Sequence, residues 1–343
     1  MKLRPALLAL ALAGAAGALC QWLHTPLPWL LGPLIAVATA RLKGYDIQAP
    51  PYSRETGQWL IGITLGLYFS PGVAAELVHF APVILIGAVF ALLLGMGTSL
   101  LLRRMTGVDD ATALFSSMPG GASEMTVLGA RNGGRMDLIA AAHSLRITLV
   151  VLSVPTLITA LDAHGVMPYV PTRLHIHAWG LLLLLLVTAL GGWLLQKWRW
   201  PNAWMLGALA VTAALTVSDT VWSGMPKGFS QFGQLLLGIA LGSRFKPDFL
   251  QRAPRFIGSV VLCIALSLLL CAGFAWIMAA GFALHPASLM LAASPGGIAE
   301  MCITAQALGL GVPFITAYHV VRLVVVLTCT EPLWRLLKRL KSR

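Results

Sequence analysis

Charge is scarce in this sequence, and acidic charge is the scarcest. Only 10% of the residues are charged, with 12 Asp and Glu against 24 Lys and Arg, while 58% are hydrophobic and the mean hydropathy is +0.82. The single core of a soluble domain cannot bury that much apolar surface. The longest polar stretch is about 161–177. The composition therefore excludes a soluble domain and predicts an integral membrane protein.

Several kinds of site are missing as well. The five cysteines lie in apolar segments without CxxC spacing, so neither a disulfide framework nor a zinc cluster is indicated. The sequence contains no nucleophile and base arrangement, phosphate-binding loop or ATPase motif, so we expect no enzyme, no primary pump and no cofactor. His175 and His177, with His164 upstream, make a metal site only a weak alternative, because no acidic or cysteine cluster accompanies them.

The basic excess does not indicate nucleic-acid binding. The formal net charge is +12, but the basic residues lie singly and in pairs between apolar runs, as signals of membrane orientation do. No room is left for a recognition module, and we expect no direct contact with nucleic acid.

Apolar segments of membrane-crossing length fill most of the chain. Each half contains six of them, namely about 5–23, 27–42, 57–76, 80–102, 111–130 and 137–160, with equivalents that begin near 178, 202, 231, 256, 287 and 313. The first has the charged start and small-residue end of a signal peptide. It is long for one and has a counterpart at 178–195, so we predict a retained helix.

The same pattern occurs twice along the chain. Three blocks recur in the same order: WLLGPLIAV at 29–37 with WMLGALAVT at 204–212, GQWLIGITLGLYFSP at 57–71 with GQLLLGIALGSRFKP at 233–247, and SMPGGASEM at 117–125 with ASPGGIAEM at 293–301. Such self-similarity is the mark of a duplicated half. We predict a first membrane repeat at 1–163, a linker at 164–177 and a second repeat at 178–343. The small-xxx-small spacing of Gly62 and Gly66, and of Gly238 and Gly242, predicts close helix packing.

Basic residues decide between two topologies. If all six segments of each half crossed the bilayer, the loop with Arg244, Lys246, Arg252 and Arg255 would lie outside, against the positive-inside bias. If the PGG segment enters and leaves on one side, the second half is inverted and most basic residues are cytoplasmic. We therefore predict an all-α polytopic membrane protein with two inverted repeats of about five crossings each, plus a PGG-broken helix that is re-entrant or discontinuous. Both termini are then cytoplasmic.

The PGG segments are the candidate binding sites. Proline and glycine break a helix, and the freed backbone groups need protein or a water-filled cavity beside them. A new half-helix then offers N–H groups to an anion, while freed carbonyls can hold a cation. The predicted substrate-binding residues are Pro119, Gly120, Gly121, Ser123, Glu124, Pro295, Gly296, Gly297, Glu300, Arg146 and Arg322.

The ionisable residues near these segments allow two interpretations. Glu124 with Arg146 and Glu300 with Arg322 are either permanent ion pairs that lock the half-helices or groups that bind substrate and move protons, because each buried charge needs a partner or water. His143 and His319, each three residues before an arginine, are candidates for proton coupling or ordinary interior histidines.

These motifs resemble one family. PWLLGPL, GQWLIGITLG and MPGGASEM with the downstream HSLR, repeated with small changes such as SPGGIAEM and HVVR, resemble the AbrB family of bacterial inner-membrane proteins. The resemblance implies an internal duplication, a bacterial inner-membrane location, and similarity to cation/proton antiporters and other inverted-repeat transporters. Family members are also named as regulators of gene expression, and some carry the label of an ammonia monooxygenase, for which the sequence offers no metal-ligand cluster.

The sequence and the resemblance together predict a secondary transporter of a small solute. The arginines and half-helix N-termini favour an organic anion, with proton coupling as an option. The alternative is a membrane-embedded sensor that regulates gene expression indirectly through a bound ligand or partner. The expected partners are membrane lipid and a small-molecule or ion substrate, and homo-oligomerisation is left open.

Overall fold

The computed structural model describes residues 3–163, 165, 175–245, 247, 253–282 and 284–341. Within these ranges the chain forms fifteen α-helices and no β-strand, so the predicted all-α fold is confirmed. Most of the linker lies outside the described residues, as do three residues used in the sequence arguments: His164, Lys246 and Arg252.

Helix length and composition identify a multi-pass membrane protein. In the described part of the chain, six helices are long and apolar enough to cross a bilayer: Arg4–Trp22, Ala81–Thr106, Met136–Ala160, Ala178–Lys197, Pro254–Phe282 and Val312–Leu340. Two shorter apolar helices, Pro28–Leu42 and Ala203–Val217, have 15 residues each. At about 1.5 Å per residue they are shorter than a bilayer core of about 30 Å. The count of ten crossings stays a prediction.

One compact unit, the first unit, consists of Met1–Val78, Pro155–Phe249 and Cys302–Pro313. Its main helices are α1 (Leu3–Trp22), α2 (Pro28–Leu42), α3 (Ser53–Gly66), α4 (Pro71–His79), α9 (Ala178–Lys197), α10 (Ala203–Val217) and α11 (Lys227–Gly242). Ala9 and Ala13 of α1 are fully buried in one core cluster with Val37 of α2 and Ile239 of α11. The predicted first helix is therefore part of the core of this unit.

Glycines bring helices of the two sequence halves together in the first unit. Gly62 of α3 lies against the backbone of Met205 in α10, and Gly238 of α11 lies against the backbone of Leu30 in α2. A side chain at either glycine would collide with main-chain atoms, which explains the small-xxx-small spacing. Helix α3 of the first repeat thus packs against α10 of the second, and α11, the equivalent of α3, packs against α2, the equivalent of α10.

The apolar segment 57–76 is divided, whereas the sequence pattern treats it as one. Helix α3 ends at Gly66, and α4 starts at Pro71 with a bend of 91° between them. Proline has no N–H to continue a helix and disfavours the helical conformation of the residue before it, here Ser70. The break therefore follows from the proline.

The other compact unit, the second unit, consists of His79–Val154, Leu250–Met301 and Phe314–Arg343. Its helices are α5 (Ala81–Thr106), α6 (Asp110–Ser117), α7 (Ala122–Arg131), α8 (Met136–Ala160), α12 (Pro254–Phe282), α13 (Pro286–Ala293), α14 (Ile298–Ala307) and α15 (Val312–Lys341). Helix α8 continues into the first unit from Pro155, and α14 continues into it from Cys302. Each unit thus combines helices of both repeats, and both PGG segments lie in the second unit.

Candidate functional site

The first helix break separates α6 from α7. Asp109 caps the start of α6, where its carboxylate accepts a hydrogen bond from the backbone N of Thr112 at 2.7 Å. At the other end of α6, Met118 is extended with φ −62° and ψ 130°, as expected of a residue before proline. Gly121 is also extended, and α7 starts after it. The predicted PGG-broken helix is confirmed in this repeat.

The second break repeats this backbone between α13 and α14. Ser294 is extended with φ −57° and ψ 142°. The backbone N of Met301 donates to the carbonyl of Gly297 at 3.1 Å, as the N of Met125 donates to the carbonyl of Gly121 at 2.9 Å. Each break therefore has the same course and starts its second half-helix at the same position of the motif.

Two buried arginines bind the carbonyls that the breaks leave free. Arg146 of α8 donates from Nη1 to the carbonyl of Met118 at 2.9 Å. Arg322 of α15 donates from Nη1 to the carbonyl of Ser294 at 2.5 Å and from Nη2 to that of Gly296 at 3.0 Å. The carbonyl end of a helix carries a partial negative charge, so each guanidinium stabilises the end of the first half-helix.

The two histidines hold the same half-helices one turn earlier. His143 Nε2 lies 2.9 Å from the carbonyl oxygen of Phe115, and His319 Nε2 lies 3.1 Å from that of Leu291. A carbonyl only accepts, so Nε2 carries the proton in both rings. His143 Nδ1 then accepts from Arg146 Nη2 at 2.9 Å. Protonation of His143 would break that contact.

The glutamates cover the start of the second half-helices. A carboxylate oxygen of Glu124 occupies the place that a Cβ on Gly121 would take, and Glu300 occupies the equivalent place at Gly297. Each glutamate sits in the first turn of its half-helix, where negative charge is stabilised. Within the described residues, no ion pair joins Glu124 to Arg146.

Methionine side chains complete the two breaks, and sequence reasoning missed them. A Cβ on Gly120 would lie 2.7 Å from the Met125 side chain, and one on Gly296 would lie 2.9 Å from that of Met301. A side chain on the first glycine of a motif would therefore displace the methionine, and one on the second glycine would displace the glutamate. The shared final Met of SMPGGASEM and ASPGGIAEM was the available signal.

Both breaks lie in the second unit. The charges of Arg146 and Arg322 interact, and both side chains are buried. Like charges in a poorly solvated interior repel each other. Glu124 and Glu300 carry the opposite charge, so each break combines one arginine with one glutamate.

Comparison with protein families identifies the family of this chain. A family model described as "Transition state regulatory protein AbrB" matches residues 29–338, which is most of the chain and includes both breaks. The chain belongs to the AbrB family. The predicted family is therefore confirmed.

Two AbrB-type relatives align over nearly the whole chain. "Uncharacterized protein YhjN" of Bacillus subtilis (strain 168) is 25% identical over 362 residues, covering 96% of this chain and 92% of its own. "Putative regulator AbrB" of Escherichia coli (strain K12) is 26% identical over 312 residues, covering 89% and 88%. The two alignments thus cover most of this chain and most of each relative.

The two breaks of this AbrB protein differ in exposure. In the first, Ser123 is exposed and Glu124 is half-buried; in the second, Ala299 is 3% exposed and Glu300 is 7% exposed. The prolines Pro119 and Pro295 are buried in both. The structure therefore places every predicted substrate-binding residue at a break, and the first break is the more exposed of the two.

A small cavity of about 30 Å³ adjoins the first break. Arg146 and Ser116 line it, and within the described residues neither the Arg146 Nε nor the Ser116 Oγ has a hydrogen-bond partner. A water molecule needs about this volume and two or more polar partners. The cavity is thus suited to one water molecule beside the guanidinium. Its serine has no equivalent in the second break, where Ala292 stands.

Proposed function

We propose that this AbrB-family protein is a secondary transporter of a small organic anion, coupled to protons. The observation that carries the proposal is the presence of two capped helix breaks in one unit, with interacting charges on Arg146 and Arg322. Irregular backbone at membrane depth is tolerated against protein or a water-filled cavity, and in secondary transporters such broken helices form the substrate site.

The glutamates provide a reason for proton coupling. Glu124 already occupies the positive start of α7, where a substrate carboxylate would otherwise bind. A proton on Glu124 removes its charge and lets an anion take that place. Proton and anion binding then favour each other, and the anion also relieves the repulsion between the two arginines. In this mechanism the half-buried Glu124 is the group that exchanges its proton.

The histidines have a positioning role in this proposal. His143 lies between the Phe115 carbonyl and Arg146, so it positions the arginine. His319 is fully buried against the Leu291 carbonyl and lies within range of the Arg322 charge, and both conditions disfavour a second positive charge there. Proton coupling is therefore assigned to Glu124.

The proposed location is the bacterial inner membrane, with ten crossings and both termini cytoplasmic. The positive-inside bias supports inverted repeats. Single cysteines placed at Arg173 and at Lys246 test this arrangement by their labelling in intact cells. The inverted topology puts 173 outside and 246 inside, and labelling of both from one side would contradict it.

Flux measurements test the transporter proposal. Purified protein is first screened by thermal unfolding against lactate, succinate, ammonium and sodium over a pH series, since a ligand of the folded state raises the melting temperature. The stabilising compound is then used for counterflow in proteoliposomes. We expect counterflow by the native protein and by the control Glu76→Gln, an exposed glutamate of α4, and counterflow that no longer depends on pH by Glu124→Gln.

The second candidate function is a membrane-embedded sensor. The match to a family described as regulatory and the regulator name of the Escherichia coli relative favour it. A sensor needs the same ligand site but moves nothing, and it acts on gene expression through a ligand or partner without touching nucleic acid. Ligand binding without counterflow would select the sensor and reject the transporter.

A further inference from the structure

A second cavity lies in the first unit, and none of its lining residues belongs to a PGG motif. Its volume is about 350 Å³. It is bordered by α3, by the start of α11 and by the part of α14 that belongs to the first unit. Its lining residues are Thr64, Met225, Pro226, Lys227, Ser230, Gln231, Gln234, Ile303, Gln306 and Ala307.

The chemistry of this lining favours an anion with polar groups. Lys227 is the one charged residue of the lining. It is also the first residue of α11, a 16-residue helix, so the positive end of the helix dipole adds to its charge. Three glutamine amides and two hydroxyls supply neutral donors and acceptors around it. The Tyr68 hydroxyl lies near Gln306, one of these amides.

A difference between the repeats leaves Gln234 available in this cavity. Its counterpart Gln58 donates from Nε2 to Asn202 Oδ1 at 3.1 Å. Asn202 precedes α10 in a left-handed conformation with φ 48°, and the equivalent residue before α2 is Leu27, with φ 49°. Leucine offers no oxygen to an amide. Gln234 accordingly makes no side-chain hydrogen bond to any residue that the structure describes.

We propose that this cavity binds a small carboxylate that also carries hydroxyl or amide groups. The Lys227 ammonium binds the carboxylate by charge-assisted hydrogen bonds. Gln234 and Gln306 hydrogen-bond the neutral polar groups, and Ser230 borders the same space. The site needs no residue of the PGG motifs, and it stands whether the protein transports its ligand or only senses it.

Calorimetric titration of the purified full-length protein in detergent tests this site. The probes are lactate, acetate and glycerol, which carry respectively both groups, the carboxylate alone and hydroxyls alone. We expect lactate to bind more tightly than acetate, and glycerol not to bind. Lys227→Gln should weaken lactate binding about tenfold or more, because it removes a charge-assisted contact. Lys227→Arg should restore most of it, and Lys338→Gln, an exposed lysine of α15, should change nothing.

Gln234→Leu separates the amide contact from the charge. It should reduce lactate binding to the level of acetate and leave acetate binding unchanged, which a misfolded variant would not do. Absence of lactate binding to the native protein, or equal binding by the native and Lys227→Gln proteins, would overturn the proposal. Loss of lactate binding in Glu124→Gln with full binding in Lys227→Gln would place the ligand at the helix break and also overturn it. If lactate binds at this cavity but the protein shows no counterflow, the transporter proposal is refuted and the binding site is not.

Discussion

The two helix breaks have the same backbone and the same capping residues, but they differ in exposure. Arg146 and Arg322 bind the freed carbonyls, and Glu124 and Glu300 cover the new helix starts. The first break is the more exposed, through Ser123 and the half-buried Glu124. The comparison separates two roles of one motif. The caps stabilise a break inside a membrane protein, whereas in the proposed function the more exposed break is the one that exchanges a ligand.

Removal of the arginine should have the largest effect, and it should be greater in the buried break. Arg322→Met leaves the carbonyls of Ser294 and Gly296 without their donor, and each buried unsatisfied group costs about 1–3 kcal/mol. We expect a loss of about 2–6 kcal/mol in the free energy of unfolding. Arg146→Met should cost less, since water can reach Gly120. Urea unfolding in detergent measures both, and equal losses would contradict the difference in accessibility.

Substitution of the second glycine of each PGG motif should cause the next largest loss in the free energy of unfolding. Gly297→Ala places a methyl group where the buried Glu300 carboxylate lies, and overpacking of an interior costs about 1–3 kcal/mol. At Gly121→Ala the half-buried Glu124 can turn towards solvent, so the loss should stay below about 1 kcal/mol. The same unfolding assay compares the two. A greater loss in the free energy of unfolding for Gly121→Ala would mean that the more exposed break is the more closely packed one.

Much of this arrangement could be predicted from sequence because proline and glycine act locally. The break at Pro119, its repetition at Pro295 and the membrane helices all follow from backbone restrictions and apolar length. The arginine contacts could not be predicted, because an Arg-to-Glu pair and an Arg-to-carbonyl contact use the same residues at the same spacing. The choice depends on where the half-helix carbonyls point, which only the packing of α8 and α15 determines.

The sequence also could not predict that each compact unit contains helices of both repeats. Duplication predicts two copies of a segment but not which copies pack together. The contacts of Gly62 with Met205 and of Gly238 with Leu30 join helices from different halves, so the compact units cut across the repeats. Glycine spacing indicated close packing without identifying the partner.

Charge removal at the glutamates should have a moderate effect on stability and a qualitative effect on function. Glu124→Gln loses the interaction of a charge with a helix start, about 0.3–1 kcal/mol at an accessible site. Glu300→Gln affects the equivalent buried interaction and should cost more. Proteoliposome uptake as a function of pH is the functional measurement. We expect Glu124→Gln to abolish the pH dependence, and a Glu124→Gln protein with native pH dependence would assign the coupling elsewhere.

The smallest effect is expected at Ser116, where the repeats differ by one hydroxyl. Its Oγ faces the 30 Å³ cavity beside Arg146 and finds no partner among the described residues, while the second break has Ala292 at this position. If the cavity holds a single water molecule, Ser116→Ala removes one weak contact of that water. The change in the free energy of unfolding should then stay within about 0.5 kcal/mol. A much greater loss would show that the hydroxyl and the Arg146 guanidinium together hold a more strongly bound ligand, and that the first break differs from the second in chemistry as well as in exposure.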